Sequence, residues 1–301
     1  MLRRLLSLPS RVQELSRRLE EAIAYFAGRS HPLHFTPNAY LGDHTSLTLL
    51  EGRIKIFVDT RGNDLSPHLL IDGRWEPNYT RLFERLIQPG DTVLDLGAHH
   101  GVYALLGAVA TGPTGQVHAF EPNPHLAALL QRSLAVNGLT DRAAVHNVAV
   151  GAAEGSAELV FSWGWSGGGF VAVDNGALPA GYQRHRCRVV ALDDLFRDPA
   201  FRVDVMKIDV EGTEARAMRG MVGLIGRSPR ARIMFELAPQ MLAGQGSSAA
   251  ELIGIFTDLG FRFWAIGDDS ALAAVDAGAL ATMQDGIRNI LAARDQPTLR
   301  R

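Results

Sequence analysis

Cysteine is nearly absent: Cys187 is the only one in 301 residues, so the chain forms no intramolecular disulfide and holds no cysteine zinc cluster. A reducing, cytoplasmic setting is the expectation that follows. Positive charge is not in excess, since 30 Lys and Arg stand against 32 Asp and Glu, a formal net charge of -2. That balance gives no general attraction for phosphate backbones and argues against a nucleic-acid substrate. No apolar run is long enough to span a bilayer. A secretory leader is not expected, because Leu5 and Leu6 lead into Ser7, Leu8 and Pro9 instead of a long apolar core.

What is present is a chain rich enough in apolar residues, 47% against 21% charged, to bury a substantial core. Length alone suggests one or two domains, and one large α/β domain with an N-terminal extension fits. The most informative stretch is residues 91–101, DTVLDLGAHHG. Residues 92–96 read as a strand buried on both faces, which passes into a glycine turn and then a helix over 102–110. Gly97 and Gly101 let the backbone turn tightly beside a ligand, with Ala98 and His99 between them, and Asp95 places a carboxylate at the carboxyl end of the strand. About twenty residues on, 116–120 reads as a second buried strand ending in Glu121, Pro122 and Asn123. An acid at that tip is where a doubly wound sheet holds the two hydroxyls of a ribose. The runner-up, a nicotinamide dehydrogenase, requires G-x-G-x-x-G, and His99 fills the place of its middle glycine.

Three segments, DLGAHHG, VHAFEPNP and KIDVEG at residues 207–212, together resemble the FkbM-type family of S-adenosylmethionine-dependent methyltransferases, in which Asn is more usual where this chain has His99. The resemblance extends from about residue 57 to the C-terminal region. It implies a Rossmann-like class I methyltransferase fold, a doubly wound, mostly parallel seven-stranded sheet whose final strand is antiparallel, and methyl transfer from S-adenosylmethionine, usually to oxygen. On that footing Gly97, Ala98, His99 and Gly101 shape the cofactor turn, Glu121 with Pro122 and Asn123 holds the ribose, and Asp95 meets the amino-acid end of the cofactor. The acceptor it implies is a hydroxyl on a sugar, glycolipid or natural product, hence a small-molecule or glycan partner.

Residues 1–28 carry Leu5, Leu8, Val12, Leu15, Leu19, Ile23 and Phe26 at spacings of three and four, with arginines over much of the rest. This writes an amphipathic helix, either packed on its own domain or lying on a membrane surface or a partner helix. His31 and His34 read as loop residues. Residues 46–50 and 53–58 are strand-like around Gly52, suggesting a hairpin that covers one edge of the main sheet. Asp64 and Glu76 either face the acceptor pocket or pair with Arg61 and Arg74. The expected organisation is an N-terminal extension over 1–90, a cofactor-binding domain over 91–293 and an unstructured tail from 294.

After the second strand the pattern continues with a helix over 124–137 and a third strand over 143–150, where Asn147 is either a cofactor contact or a satisfied polar residue at a strand end. Residues 151–190 leave the rhythm. Strands at 157–161, 170–173 and 186–191 flank a loop with Trp163, Trp165 and several glycines, read as an inserted hairpin and lid that either offers a flat apolar face to an acceptor or packs on the surface. His185 is a candidate base or a solvated histidine.

A fourth buried strand over 203–210 carries Lys207, Asp209 and Glu211, and a fifth ends at Glu236. Ligands bind beyond the carboxyl ends of such strands, and two carboxylates two residues apart share a face. Asp209 is the first candidate for general base or metal ligand, followed by Glu211, Glu236 and His185. The Asp209–Glu236 pair also resembles carboxylates that hold Mg2+ in some sugar O-methyltransferases, and one of Asp209 and Glu211 is expected to cap the helix starting near Thr213. The remaining alternative is a non-catalytic cofactor-binding or assembly protein, against which the carboxylate cluster argues, because a binding module has no need of it.

Overall fold

Alternation along each central strand sends successive side chains to opposite faces, and both faces are buried, so every apolar run splits into two cores. The computed structural model describes residues 36–172, 178 and 180–300; the N-terminal amphipathic stripe, His31 and His34 lie outside the described residues. The described chain opens with an antiparallel sheet, β1 (Ala39–Gly42), β2 (Thr45–Leu50) and β3 (Ile54–Asp59). Two helices follow, α1 (Leu65–Ile71) and α2 (Pro77–Leu86). Then come β4 (Thr92–Leu96), α3 (Val102–Ala110), β5 (Gln116–Phe120), α4 (Pro124–Val136), β6 (Ala143–His146) and β7 (Ala149–Val150). The inserted strands are β8 (Gly155–Ser162), β9 (Trp165–Ala172) and β10 (Tyr182–Val190). The chain continues through α5 (Leu192–Leu195), β11 (Val205–Ile208), α6 (Glu214–Arg219), α7 (Val222–Gly226), β12 (Arg232–Leu237), α8 (Pro239–Gly244) and α9 (Ala249–Asp258). It closes with β13 (Arg262–Ile266), β14 (Leu272–Val275), α10 (Ala277–Ala281) and β15 (Arg288–Ala293).

The main sheet runs β14-β13-β15-β12-β11-β4-β5-β6. Its five strands from β12 to β6 are parallel, and β15 is inserted antiparallel between β12 and β13. These are the seven strands expected, plus a short eighth, β14, on the β13 edge. One core gathers Val93, Val117, Val205 and Met234 under α2 and α3; the other gathers Leu94, Phe120, Met206 and Phe235 with α6, α7 and α9.

Three expectations are corrected by the packing. The β2–β3 hairpin does not cover a sheet edge: Ile56 and Val58 join the first core beside α3, and Phe57 packs on Leu126 and Leu129 of α4. The strand expected over 143–150 is broken, because β6 belongs to the main sheet whereas β7 pairs with β10 in a second sheet of order β7-β10-β8-β9. The tail is not loose over its described part, since the Arg300 amide donates to the Arg85 carbonyl at 2.7 Å and Arg294 donates to the carbonyls of Leu259, Ser228 and Ile225. Among the described residues, no helix is long and apolar enough to cross a membrane.

The turn after β4 is closed by contacts that leave no room for a side chain at Gly97. Its φ is +80°, and an added Cβ would stand 1.8 Å from the Asp209 carbonyl oxygen. Gly97→Ala is expected to lower stability by at least about 2 kcal/mol, because backbone on both sides resists the shift. A urea-unfolding midpoint equal to that of the wild type would contradict this tight junction between the first and fourth parallel strands.

Candidate active site

The parallel strands end together, and their register decides which charges meet. Asp95 is the cross-strand partner of Lys207, and Lys207 of Met234. On the α3 side of the sheet, β4 therefore presents Val93 then Asp95, β11 presents Val205 then Lys207, and β12 presents Met234 then Glu236. Lys207 is 2% exposed and donates to Asp209 Oδ2 at 2.9 Å, with its Nζ 5.4 Å from the centre of the Tyr103 ring. Burial works against its charge, yet Asp209 and Glu76 outweigh that and raise its pKa. A buried ammonium thus anchors a wall of carboxylates.

Glu76, Asp209, Glu211 and Glu236 all line one cavity, whose space, including the part open to solvent, is about 1190 Å³. Glu76 enters from the N-terminus of α2 in a left-handed conformation, φ +43°, and accepts the Tyr103 hydroxyl at 2.8 Å. Of the two alternatives for this residue, the pocket is the one observed. Its neighbours in the rival reading pair elsewhere: Arg61 with Asp59, Arg74 with Glu51. Asp64 accepts the Gly167 amide at 2.6 Å.

Burial first, and Asp209 second, push Glu211 up to about 8 and Glu236 up to about 7. The two members of the expected Asp209–Glu211 pair reach the cavity by different means from those expected. The strand ends at Ile208, and Glu211 sits in a turn at φ +53°. Neither caps the following helix, whose N-cap residue is Thr213 and which has no side-chain cap. Glu214 instead braces the turn before it, accepting the amides of Val210 at 3.3 Å and Gly212 at 3.2 Å, a role hidden in the sequence because three acids compete within six residues.

At the other end of the cavity Glu121 closes β5, buried. Its Oε2 accepts the His99 amide and its Oε1 the Asn123 amide, both at 2.7 Å. Burial raises its pKa to about 7. Each oxygen keeps a further lone pair for a hydroxyl donor from the cavity. Gly97, Ala98, His99, Pro122 and Asn123 also line this end, and the Asn123 side chain caps α4 through the amides of His125 and Leu126. The apolar side is built from Ala149, Leu159 and Phe161, which pack together where the insert joins β7.

Four candidates are placed differently. Asp95 does not meet the cavity: it is 1% exposed beneath the turn, its Oδ2 has no partner, and burial raises its pKa to about 7, against the pull of Lys207 and the Ala104 amide. Gly101 begins α3 at φ +91°, and an added Cβ would meet Leu130 at 2.0 Å, so it packs against α4 and does not line the cavity. Asn147 is exposed and donates to the carbonyls of Glu121 and Pro122 at 2.8 and 3.1 Å, bracing the acid's turn. His185 is exposed on β10 and is not part of the cavity wall, so the base role falls away from it. The Asp209–Glu236 pair expected for Mg2+ lies on the wall of this cavity. Among the described residues no group of three or more His, Cys, Asp or Glu is arranged to hold a metal ion, and Lys207 already occupies Asp209 Oδ2.

Sequence reasoning missed Tyr103, Glu214, His100 and Ser166. His100 is fully buried and accepts the Asp59 amide through Nε2 at 3.0 Å, with its Nδ1 2.9 Å from that of His99. Adjacent histidines in the glycine turn were the available signal. Trp163 does not offer a free face, for the Arg61 guanidinium lies 3.6 Å from its ring centre and His125 meets it edge-on. Trp165 remains 56% exposed.

A family model described as Methyltransferase FkbM domain matches residues 95–263. No curated protein matches the chain. Among solved structures, methyltransferase FkbM from Methylobacillus flagellatus KT is similar at 16% identity and a TM-score of 0.41, over 67% of this chain and 43% of that one. The present chain thus spans less than half the length of that relative. Precorrin-6y C5,15-methyltransferase from Geobacter metallireducens GS-15 is similar at 13% identity and a TM-score of 0.40, over 73% of this chain and 87% of that one. The O-methyltransferase from Bacillus cereus in complex with SAH is similar at 13% identity and a TM-score of 0.40, over 72% and 80%.

Proposed function

Because the chain belongs to the FkbM methyltransferase family, we propose that its cavity binds S-adenosylmethionine and that the carboxylate wall methylates a hydroxyl of a sugar, glycolipid or natural product. The observation that carries this reading is the single cavity joining Glu121 and the glycine turn to Asp209, Glu211 and Glu236. The residues fit the cofactor. Glu121 has a lone pair on each oxygen for two vicinal hydroxyls, Ala149, Leu159 and Phe161 form an apolar slot for a flat base, and the carboxylates suit its cationic end. When bound, the cofactor supplies a methyl group already activated on sulfur, transferred as the carbon–sulfur bond breaks and the carbon–oxygen bond forms.

The chain's own task is then to place the acceptor oxygen in line and to take its proton. Asp209, paired with Lys207 at 2.9 Å, holds and polarises the hydroxyl. Glu211 and Glu236, at about 8 and about 7, are matched to proton removal near neutral pH. One of these two accepts the proton.

This arrangement predicts opposite trends with pH. In the ligand-free protein both acids have pKa values raised above the unfolded reference of 4.5, so the folded state holds more protons than the unfolded chain between that value and about 8. Stability is therefore greatest at the acid end of this window and falls as pH rises through it. Turnover rises over the same range, because the base must be ionised. Melting temperatures and initial rates from pH 6 to 8.5 test both trends, and the variant, Glu211→Gln or Glu236→Gln, that flattens the rate profile identifies the base. A rate that falls from pH 6 to 8.5 would refute carboxylate base catalysis. The overall activity is tested by transfer of labelled methyl from S-adenosylmethionine into sugar and glycolipid fractions, with mass identification of the product.

A further inference from the structure

Ser166 stands on β9 of the inserted hairpin, buried, on the wall of the cavity. Its Oγ lies 2.8 Å from His99 Nε2. The direction of that hydrogen bond is dictated from a distance. A backbone amide can only donate, so the Asp59 amide makes His100 Nε2 an acceptor. A neutral His100 then carries its proton on Nδ1 and donates to His99 Nδ1. His99 in turn carries its proton on Nε2 and donates to Ser166. Burial lowers the pKa of both rings, which keeps them neutral and the tautomers fixed. Ser166 Oγ is thereby an acceptor toward the protein, and its own O–H is left to point into the cavity.

The hairpin is held where this matters. Its turn is fastened by the Asn63 amide to the Gly164 carbonyl at 2.9 Å and by the Gly167 amide to Asp64 at 2.6 Å, and Arg61 covers Trp163. The backbone of His99 meanwhile donates to Glu121 at 2.7 Å. One histidine thus touches the ribose acid with its main chain and the insert with its side chain.

We propose that Ser166 is a ligand-binding residue that donates its hydroxyl proton to an acceptor atom on the nucleoside of the bound cofactor, and that His99 and His100 are the positioning residues that orient it. This rests on the reading of the cavity as an S-adenosylmethionine site. The insert is then part of the cofactor site, and the histidine that replaces the family's usual Asn works through Ser166.

The test is calorimetric titration of the full chain with S-adenosylhomocysteine and, separately, with adenosine. Ser166→Ala is expected to weaken both by about fivefold, the worth of one neutral hydrogen bond, and Ser166→Thr to restore them. His99→Asn, an exchange that suits the left-handed backbone there (φ +52°) but is too short to reach the insert, is expected to weaken both equally. The double variant should then be no weaker than either single one. Wild-type affinity in Ser166→Ala, or additive losses in the double variant, would overturn the proposal while leaving the cofactor reading intact. Failure of the wild-type chain to bind S-adenosylhomocysteine at all would instead overturn the cofactor reading itself.

Discussion

Asp209→Asn is expected to reduce turnover by about a hundredfold, the cost of misplacing a reacting hydroxyl, while cofactor affinity changes little. The amide keeps the shape of the carboxylate but loses the charge that Lys207 faces at 2.9 Å. Lys207 is buried with no other hydrogen-bonded partner at that distance among the described residues, so its ammonium would be left to Glu76 and Glu236, which already act on it electrostatically. The substitution should therefore also drain negative charge from the cavity and lower the pKa of Glu211 and Glu236, whose titrations Asp209 now pushes upward. The pH–rate profile of the residual activity should shift to the acid side. Near-normal turnover with an unshifted profile would remove Asp209 from the chemistry.

Glu121→Ala should act on the opposite quantity. Two charge-assisted hydrogen bonds to ribose hydroxyls are worth about 3–5 kcal/mol together, so cofactor affinity is expected to drop by a factor of about a hundred to a few thousand. The substitution also orphans the amides of His99 and Asn123, each now bonded at 2.7 Å, and Glu121→Gln, which retains an acceptor for one of them, separates that structural cost from the lost charge. A further signature belongs to the wild type. Burial holds the free carboxyl at about 7, whereas hydroxyl donors favour its ionised form, so binding should release protons near neutral pH. Titration in buffers of different ionisation enthalpy measures that release. Unchanged affinity in Glu121→Ala, together with no proton release in the wild type, would place the ribose elsewhere.

Residues 92–121 by themselves determined the strand, the glycine turn, the helix and the acid at the tip of β5, because buried runs, φ-permissive glycines and strand alternation are written over a few neighbouring residues. Lys207 and Asp209 were likewise placed together by being two residues apart, and they form an ion pair across the end of β11. What the tertiary structure decided lies between elements distant in the chain. Inter-strand register set Lys207 beside Asp95 and sank the latter below the cavity floor. The break at Asn147 follows from β7 leaving the main sheet to pair with β10, which no local pattern announces. Glu76, Tyr103 and Ser166 reached the site because helix docking and insert packing brought them there. His185 was lost to it because its stretch of β10 lies at the surface, and side-chain period alone cannot say which face a partner sheet will cover.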